Sequence, residues 1–158
     1  MEKKIEEKLV FLNQLYKQQD DIYRGMAARC GLSDASFWVL YAVTESEESY
    51  SQNDLCNAWF FPKQTINSAI NNLVKMGFVV LSQIAGTRNR KAVELTEEGK
   101  AFCEKNIVPL LKAESKSFER FSEEEQELFL TLFEKQLAFL REEVDQLTKE
   151  KEENHKGE

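Results

Sequence analysis

The chain has 158 residues, 42% of them hydrophobic, about one domain's length with enough apolar side chains to fill a core. Its six glycines and two prolines fall well below the roughly 12% of average usage, too few turn formers for a β-sandwich or barrel. The net charge is −7, yet no Asp or Glu occurs between Leu55 and Val93, where Lys63, Lys75, Arg88, Arg90 and Lys91 give +5 and leave −12 for the remainder; a basic block in an acidic chain is the footprint of a surface that meets phosphates.

In chain order, Ile5, Leu9, Leu12, Tyr16, Ile22 and Tyr23 recur at three- and four-residue steps, which predicts a long amphipathic helix over 5–26, ended by Cys30-Gly31. Ser33 is placed to cap a second helix with Phe37, Leu40, Tyr41 and Thr44 on one side, and Glu45 to Ser49 reads as a loop. Ser51 with Asp54 has the spacing of a capping box opening a short helix through Leu55, Cys56 and Trp59. Pro62 suits the first turn of a fourth helix, Pro62 to Met76, with Ile66, Ile70 and Leu73 on one face and Lys63, Gln64, Asn67, Ser68 and Asn71 on another, stopped by Gly77. Phe78 to Ile84 and Ala92 to Leu95, separated by the turn residues Ala85 to Asn89, predict a hairpin with its arginines at the tip. Thr96 caps a further helix bent near Pro109 and running towards Phe118 and Phe121. Ser122 to Glu125 forms a second capping box, opening a helix with Phe129, Leu132, Phe133, Leu137, Leu140, Val144 and Leu147 in one stripe and a frayed charged tail from Lys149 to Glu158.

Helix, helix, short helix, turn, polar-faced helix and basic hairpin is the order of a winged helix-turn-helix. Amide side chains on an exposed helix face make paired hydrogen bonds to adenine, whereas acids would repel the flanking phosphates. Lys63, Gln64, Thr65, Asn67, Ser68 and Asn71 therefore become candidate DNA contacts, with Arg88, Asn89, Arg90 and Lys91 on the wing. Arginines there enter a minor groove or hold the backbone.

At this point the chain resembles the MarR family of bacterial transcriptional regulators, over roughly Ile5 to Val144. Ser51-Gln52-Asn53-Asp54-Leu55 looks like the start of the family's helix-turn-helix. Thr65-Ile66-Asn67 and Leu73 to Val79 resemble its recognition helix running into the wing, and Leu95-Thr96-Glu97-Glu98-Gly99 and Phe121 to Glu125 resemble the two helix starts that follow. The resemblance implies a homodimer with intertwined terminal helices, binding a near-palindromic operator on double-stranded DNA as a repressor that an effector releases. It organises the chain as one mainly α domain over 1–158 with a small β-hairpin wing: a DNA-binding lobe at 33–95, dimerisation helices at 1–30 and 96–148, and a tail at 149–158. Where the family's wing carries an Asp beside its key Arg, this chain reads Thr87-Arg88-Asn89-Arg90-Lys91; Asn89 stands in, and either Arg88 or Arg90 reaches the groove.

Other classes are weighed against this. The stripe from Phe129 to Leu140 has only the first helix or a second subunit left to cover it. Tyr16, Trp38 and Tyr41 are candidates to line a pocket for a small aromatic or lipophilic effector, with core packing as the plainer expectation. Three cysteines, Cys30, Cys56 and Cys103, fit neither a disulfide framework nor a four-cysteine zinc site. Cys30, at a helix end, reads as an inert thiol rather than a redox sensor. An enzyme is disfavoured because the only histidine, His155, lies in the tail, and neither a metal nor another cofactor is expected. A protein–protein adaptor has no need of the acid-free block. The apolar runs fall far short of the ~18 residues of a membrane span, and the charged start lacks a signal peptide's apolar stretch; a cytoplasmic protein without membrane association is expected.

Overall fold

The computed structural model describes residues 2–46, 49–84, 86–87 and 90–155. The fold is mainly helical with a small antiparallel hairpin: α1 (Glu2–Arg29), α2 (Asp34–Glu45), α3 (Gln52–Trp59), α4 (Lys63–Lys75), β1 (Val79–Gln83), β2 (Lys91–Leu95), α5 (Glu97–Asn106), α6 (Val108–Phe118) and α7 (Glu123–His155). The chain divides into two compact units, Met1–Leu111 and Lys112–Glu158, a boundary within α6 that the sequence pattern did not place.

The helix boundaries have local causes. At the end of α1 the Leu32 amide donates to the Ala27 carbonyl and the Gly31 amide to Ala28, with Gly31 at φ +67°; this reciprocal closure needs a left-handed residue, which glycine supplies without a Cβ penalty. The end of α4 repeats it, Phe78 donating to Leu73 and Gly77 to Val74. Ser33, Ser51, Thr96 and Ser122 each accept an amide hydrogen bond from the residue three positions on. The capping boxes at Ser51/Asp54 and Ser122/Glu125 are closed in both directions.

Several boundaries differ from the sequence expectation. Glu45 is the last residue of α2 rather than part of a loop. Pro62 is the N-cap of α4, not a residue of its first turn, and makes no side-chain cap. The helix expected after Thr96 is broken at Ile107 into α5 and α6, because Pro109 offers no amide and its ring crowds the preceding turn. Phe121 lies beyond α6. The tail expected to fray from Lys149 continues as α7 to His155, its Lys, Glu and Asn interrupted by neither glycine nor proline.

In the first unit the core gathers Phe37 and Leu40 of α2, Leu55 of α3, Ile66, Ile70 and Leu73 of α4, Val79 and Val93 of the hairpin, and Ile107, all essentially sealed from solvent. β1 and β2 pair from Val79–Leu95 to Gln83–Lys91. The segment before α3 joins this sheet: Ser51 bridges Ala92, and the Val93 amide donates to the Tyr50 carbonyl at 2.8 Å. In the second unit Phe118, Phe121, Phe129 and Phe133 form a chain of ring contacts with centroids 5.9–6.4 Å apart.

Candidate nucleic-acid interface

α4 buries Ile66, Ala69, Ile70 and Leu73 and turns Lys63, Gln64, Thr65, Asn67, Ser68 and Asn71 to solvent. Burying the apolar stripe thus fixes the direction of the amide face, which carries no acid. The turn into α4 is tight: Phe60 caps α3 in the left-handed region at φ +54°, and Pro62 sets the entry at φ −57°. Phe60 is not a residue whose type announces that conformation.

The wing returns towards the start of α3. Its turn is held by the Ile84 amide to the Arg90 carbonyl at 3.0 Å, the Thr87 hydroxyl to the Ile84 carbonyl at 2.8 Å, and the Gln83 amide to the Thr87 carbonyl at 2.7 Å. Arg88 and Asn89 lie outside the described residues, so of the two arginines expected at the tip only Arg90 is placed. It stands where the turn rejoins β2, and its guanidinium donates to both carboxylate oxygens of Asp54, at 2.7 and 2.8 Å. Asp54 also accepts from the Ser51 amide at 2.8 Å and the Ser51 hydroxyl at 2.6 Å. These bonds, the Ser51 hydroxyl foremost, then the Ser51 amide and Arg90, hold the Asp54 carboxyl below the ordinary carboxylate range against a smaller opposing effect of burial.

Ser51, Gln52, Asn53, Lys63, Leu81, Arg90 and Lys91 line a polar cleft of about 250 Å³. The expected contacts at the start of α4 and at the base of the wing therefore share one wall-to-wall surface with the first turn of α3. Among the described residues no carboxylate pairs with Lys63 or Lys91, whereas Arg90 is neutralised by Asp54. The sequence contained Asp54 as a cap and Arg90 as a wing cation, but nothing in it links two positions 36 residues apart.

A second feature of this unit was only partly expected. Trp38 packs against Tyr23, Tyr41 and Trp59 with ring centroids 4.8–5.2 Å apart. Beside it, Lys17, Asp20, Tyr23, Arg24, Asp34, Phe37, Trp38 and Phe61 line an open cleft of about 340 Å³. Trp38 is thus both core and cleft wall; Tyr41 is buried in the core, in line with the plainer expectation, and Tyr16 does not line this cleft. Burial pushes the Cys30 and Cys103 thiols up, which lowers their thiolate fraction.

The comparisons agree with this geometry. Residues 31–88, from the end of α1 to the wing, match the sequence model of the MarR family. This segment belongs to the MarR family of transcriptional regulators. The chain is also similar to the HTH-type transcriptional repressor YetL of Bacillus subtilis (strain 168), 26% identical over 117 residues that cover 73% of this chain and 70% of that protein. Among solved structures, a MarR family regulator from Neisseria meningitidis superposes with a TM-score of 0.74 at 19% identity, covering 88% of this chain and 97% of the other. BpsR of Bordetella bronchiseptica, whose DNA binding is regulated by 6-hydroxynicotinic acid, superposes at 0.60 with 21% identity over 80% and 89% of the two chains. The MarR winged helix-turn-helix is therefore the fold of this chain, and no helix among the described residues is long and apolar enough to cross a membrane.

Proposed function

We propose that the protein is a homodimeric, cytoplasmic repressor that reads a near-palindromic operator in double-stranded DNA. The observation that carries this reading is α4: its buried stripe fixes an acid-free amide face beside a cleft whose two lysines have no carboxylate partner among the described residues. In this reading Gln64, Asn67, Ser68 and Asn71 read base edges in the major groove, Thr65 and the wing residues Arg88 and Asn89 position the duplex, and Lys63 and Lys91 neutralise phosphates. Selection of bound fragments from random DNA tests it, and recovery of a palindrome is expected. On that operator, Asn67→Ala relaxes preference at one base-pair position at a cost of about 1–3 kcal/mol. Equal affinity for every sequence, before and after the substitution, removes the assignment.

Two further parts of the reading have separate support. α1 leaves Ile5, Leu9, Val10, Phe11, Leu15 and Ile22 exposed, and α7 leaves Leu132, Leu140, Val144 and Leu147 exposed; a second copy of the chain covers these stripes. Effector release is assigned to the cleft beside Trp38. Its volume of about 340 Å³ lies within the ~300–1,000 Å³ range of small-molecule sites, and its rings offer stacking to a planar ligand while Arg24 offers a charge. Titrating a hydroxylated aromatic carboxylate is expected to quench tryptophan fluorescence and weaken operator binding in parallel. Quenching lost in Arg24→Gln, which keeps both tryptophans, with binding of DNA retained, supports the site; unchanged fluorescence in the native protein overturns it.

A further inference from the structure

The pair between Arg90 and Asp54 joins the point where the wing re-enters its second strand to the first turn of α3. A single guanidinium nitrogen, Nη2 of Arg90, sits within 2.7 and 2.8 Å of the two Asp54 oxygens, and such charge-assisted bonds are shorter and stronger than those between neutral groups. Asp54 is itself held by two hydrogen bonds from Ser51, and Ser51 bridges β2 at Ala92. The wing is thus fastened to the helix-turn-helix at two neighbouring places, one through the backbone and one through side chains. Exposed ion pairs add little to folding stability, and this pair is part-exposed, 54% for Arg90 and 33% for Asp54. Its effect lies in geometry.

We infer that Arg90 and Asp54 form a strut that sets the wing's angle against α3 before DNA arrives, so that Arg90 is a positioning residue rather than a phosphate contact. The inference rests on the proposed DNA-binding reading for its consequence, but the strut itself belongs to the free protein. Holding the wing in place beforehand removes an ordering cost that would otherwise be met on binding. A carboxylate beside DNA repels phosphates, so the two roles for Arg90 predict opposite signs for removal of Asp54. If Arg90 held a phosphate, Asp54→Asn would release it and tighten binding. If the pair is a strut, Asp54→Asn weakens binding by about three- to tenfold despite the more favourable charge.

The test uses Arg90→Gln, Asp54→Asn and the double variant, with Lys91→Gln as comparison, each titrated on the selected operator at several salt concentrations. Lys91→Gln is expected to lower the slope of log affinity against log salt by about 0.9 for each protomer's lost phosphate contact. Arg90→Gln is expected to weaken binding about three- to tenfold at unchanged slope, and the double variant to be no weaker than either single one. Asparagine keeps an oxygen for the Ser51 amide, so α3 stays capped, and coincident melting curves check this. Amide hydrogen exchange without DNA supplies the independent readout: Ile84, which donates to Arg90, and Val93, which donates to Tyr50, lose protection in both single variants. Tighter binding by Asp54→Asn, a reduced slope for Arg90→Gln, or unchanged protection of these two amides overturns the strut. If the native protein binds no duplex while both amides still lose protection, the strut stands and the DNA-binding reading falls.

Discussion

Gly99→Ala is expected to lower the stability of the protein by about 1–3 kcal/mol, in the opposite direction to the ~1 kcal/mol gain that helix propensity alone gives alanine over glycine. Gly99 lies in the first turn of α5, and a Cβ built there falls 1.9 Å from the Phe78 carbonyl oxygen and 2.9 Å from its carbon. Both are backbone atoms, so no side-chain rotation relieves the overlap. α5 has to move away from the entry to β1. That movement strains the hydrogen bonds that the Thr96 amide donates to the Phe78 carbonyl, at 3.0 Å, and the Thr96 hydroxyl to the Gly77 carbonyl, at 2.6 Å. The stacked pair Phe78–Phe102, with centroids 4.4 Å apart, is strained with them. Urea unfolding checks the result: a lower midpoint at unchanged slope is expected, and a midpoint equal to or above that of the native protein shows that α5 does not sit this close to β1.

Leu140→Glu is expected to have the largest effect on function. Phe133, Leu137, Leu140, Val144 and Leu147 follow one another at alternating steps of four and three along α7, the spacing of a helix seam that packs against another helix, and Leu140 is half exposed. In the proposed dimer a charge at this position is buried without a partner, at a cost of several kcal/mol. Sedimentation at micromolar concentration is expected to show a monomer where the native protein is a dimer. The affinity for the full operator then falls by about 10²–10⁴, because the second half-site is no longer held at a high effective concentration. Affinity for an isolated half-site stays nearly unchanged, which separates lost assembly from a damaged reading surface. A variant that remains dimeric, or a native protein that sediments as a monomer, removes the basis for palindromic recognition.

Much of the fold was legible because the signals are local. The caps at Ser33, Ser51, Thr96 and Ser122 are made with residues three positions on, and the stops at Gly31 and Gly77 involve carbonyls a turn away. Such bonds are written in consecutive residues, and so is the alternation that made the hairpin readable. The face of α4 was legible for the same reason, since burial of Ile66, Ile70 and Leu73 leaves the amides only one direction to point. Less local features were not legible. Phe60 has no glycine-like signal for its left-handed turn, and the cleft beside Trp38 depends on how α1 and the α3–α4 turn meet that ring.

The order of helices and wing, the acid-free block and the exposed amides of α4 were determined by the sequence itself, because helix periodicity, capping and charge act over a few neighbouring residues. Tertiary structure alone decided that Arg90 is held by Asp54, that Gly99 has no space for a methyl group, and that Tyr23, Trp38 and Phe61 share one cleft. Each depends on distances between segments far apart along the chain, and those distances are set by packing of the whole core rather than by any spacing that consecutive residues encode.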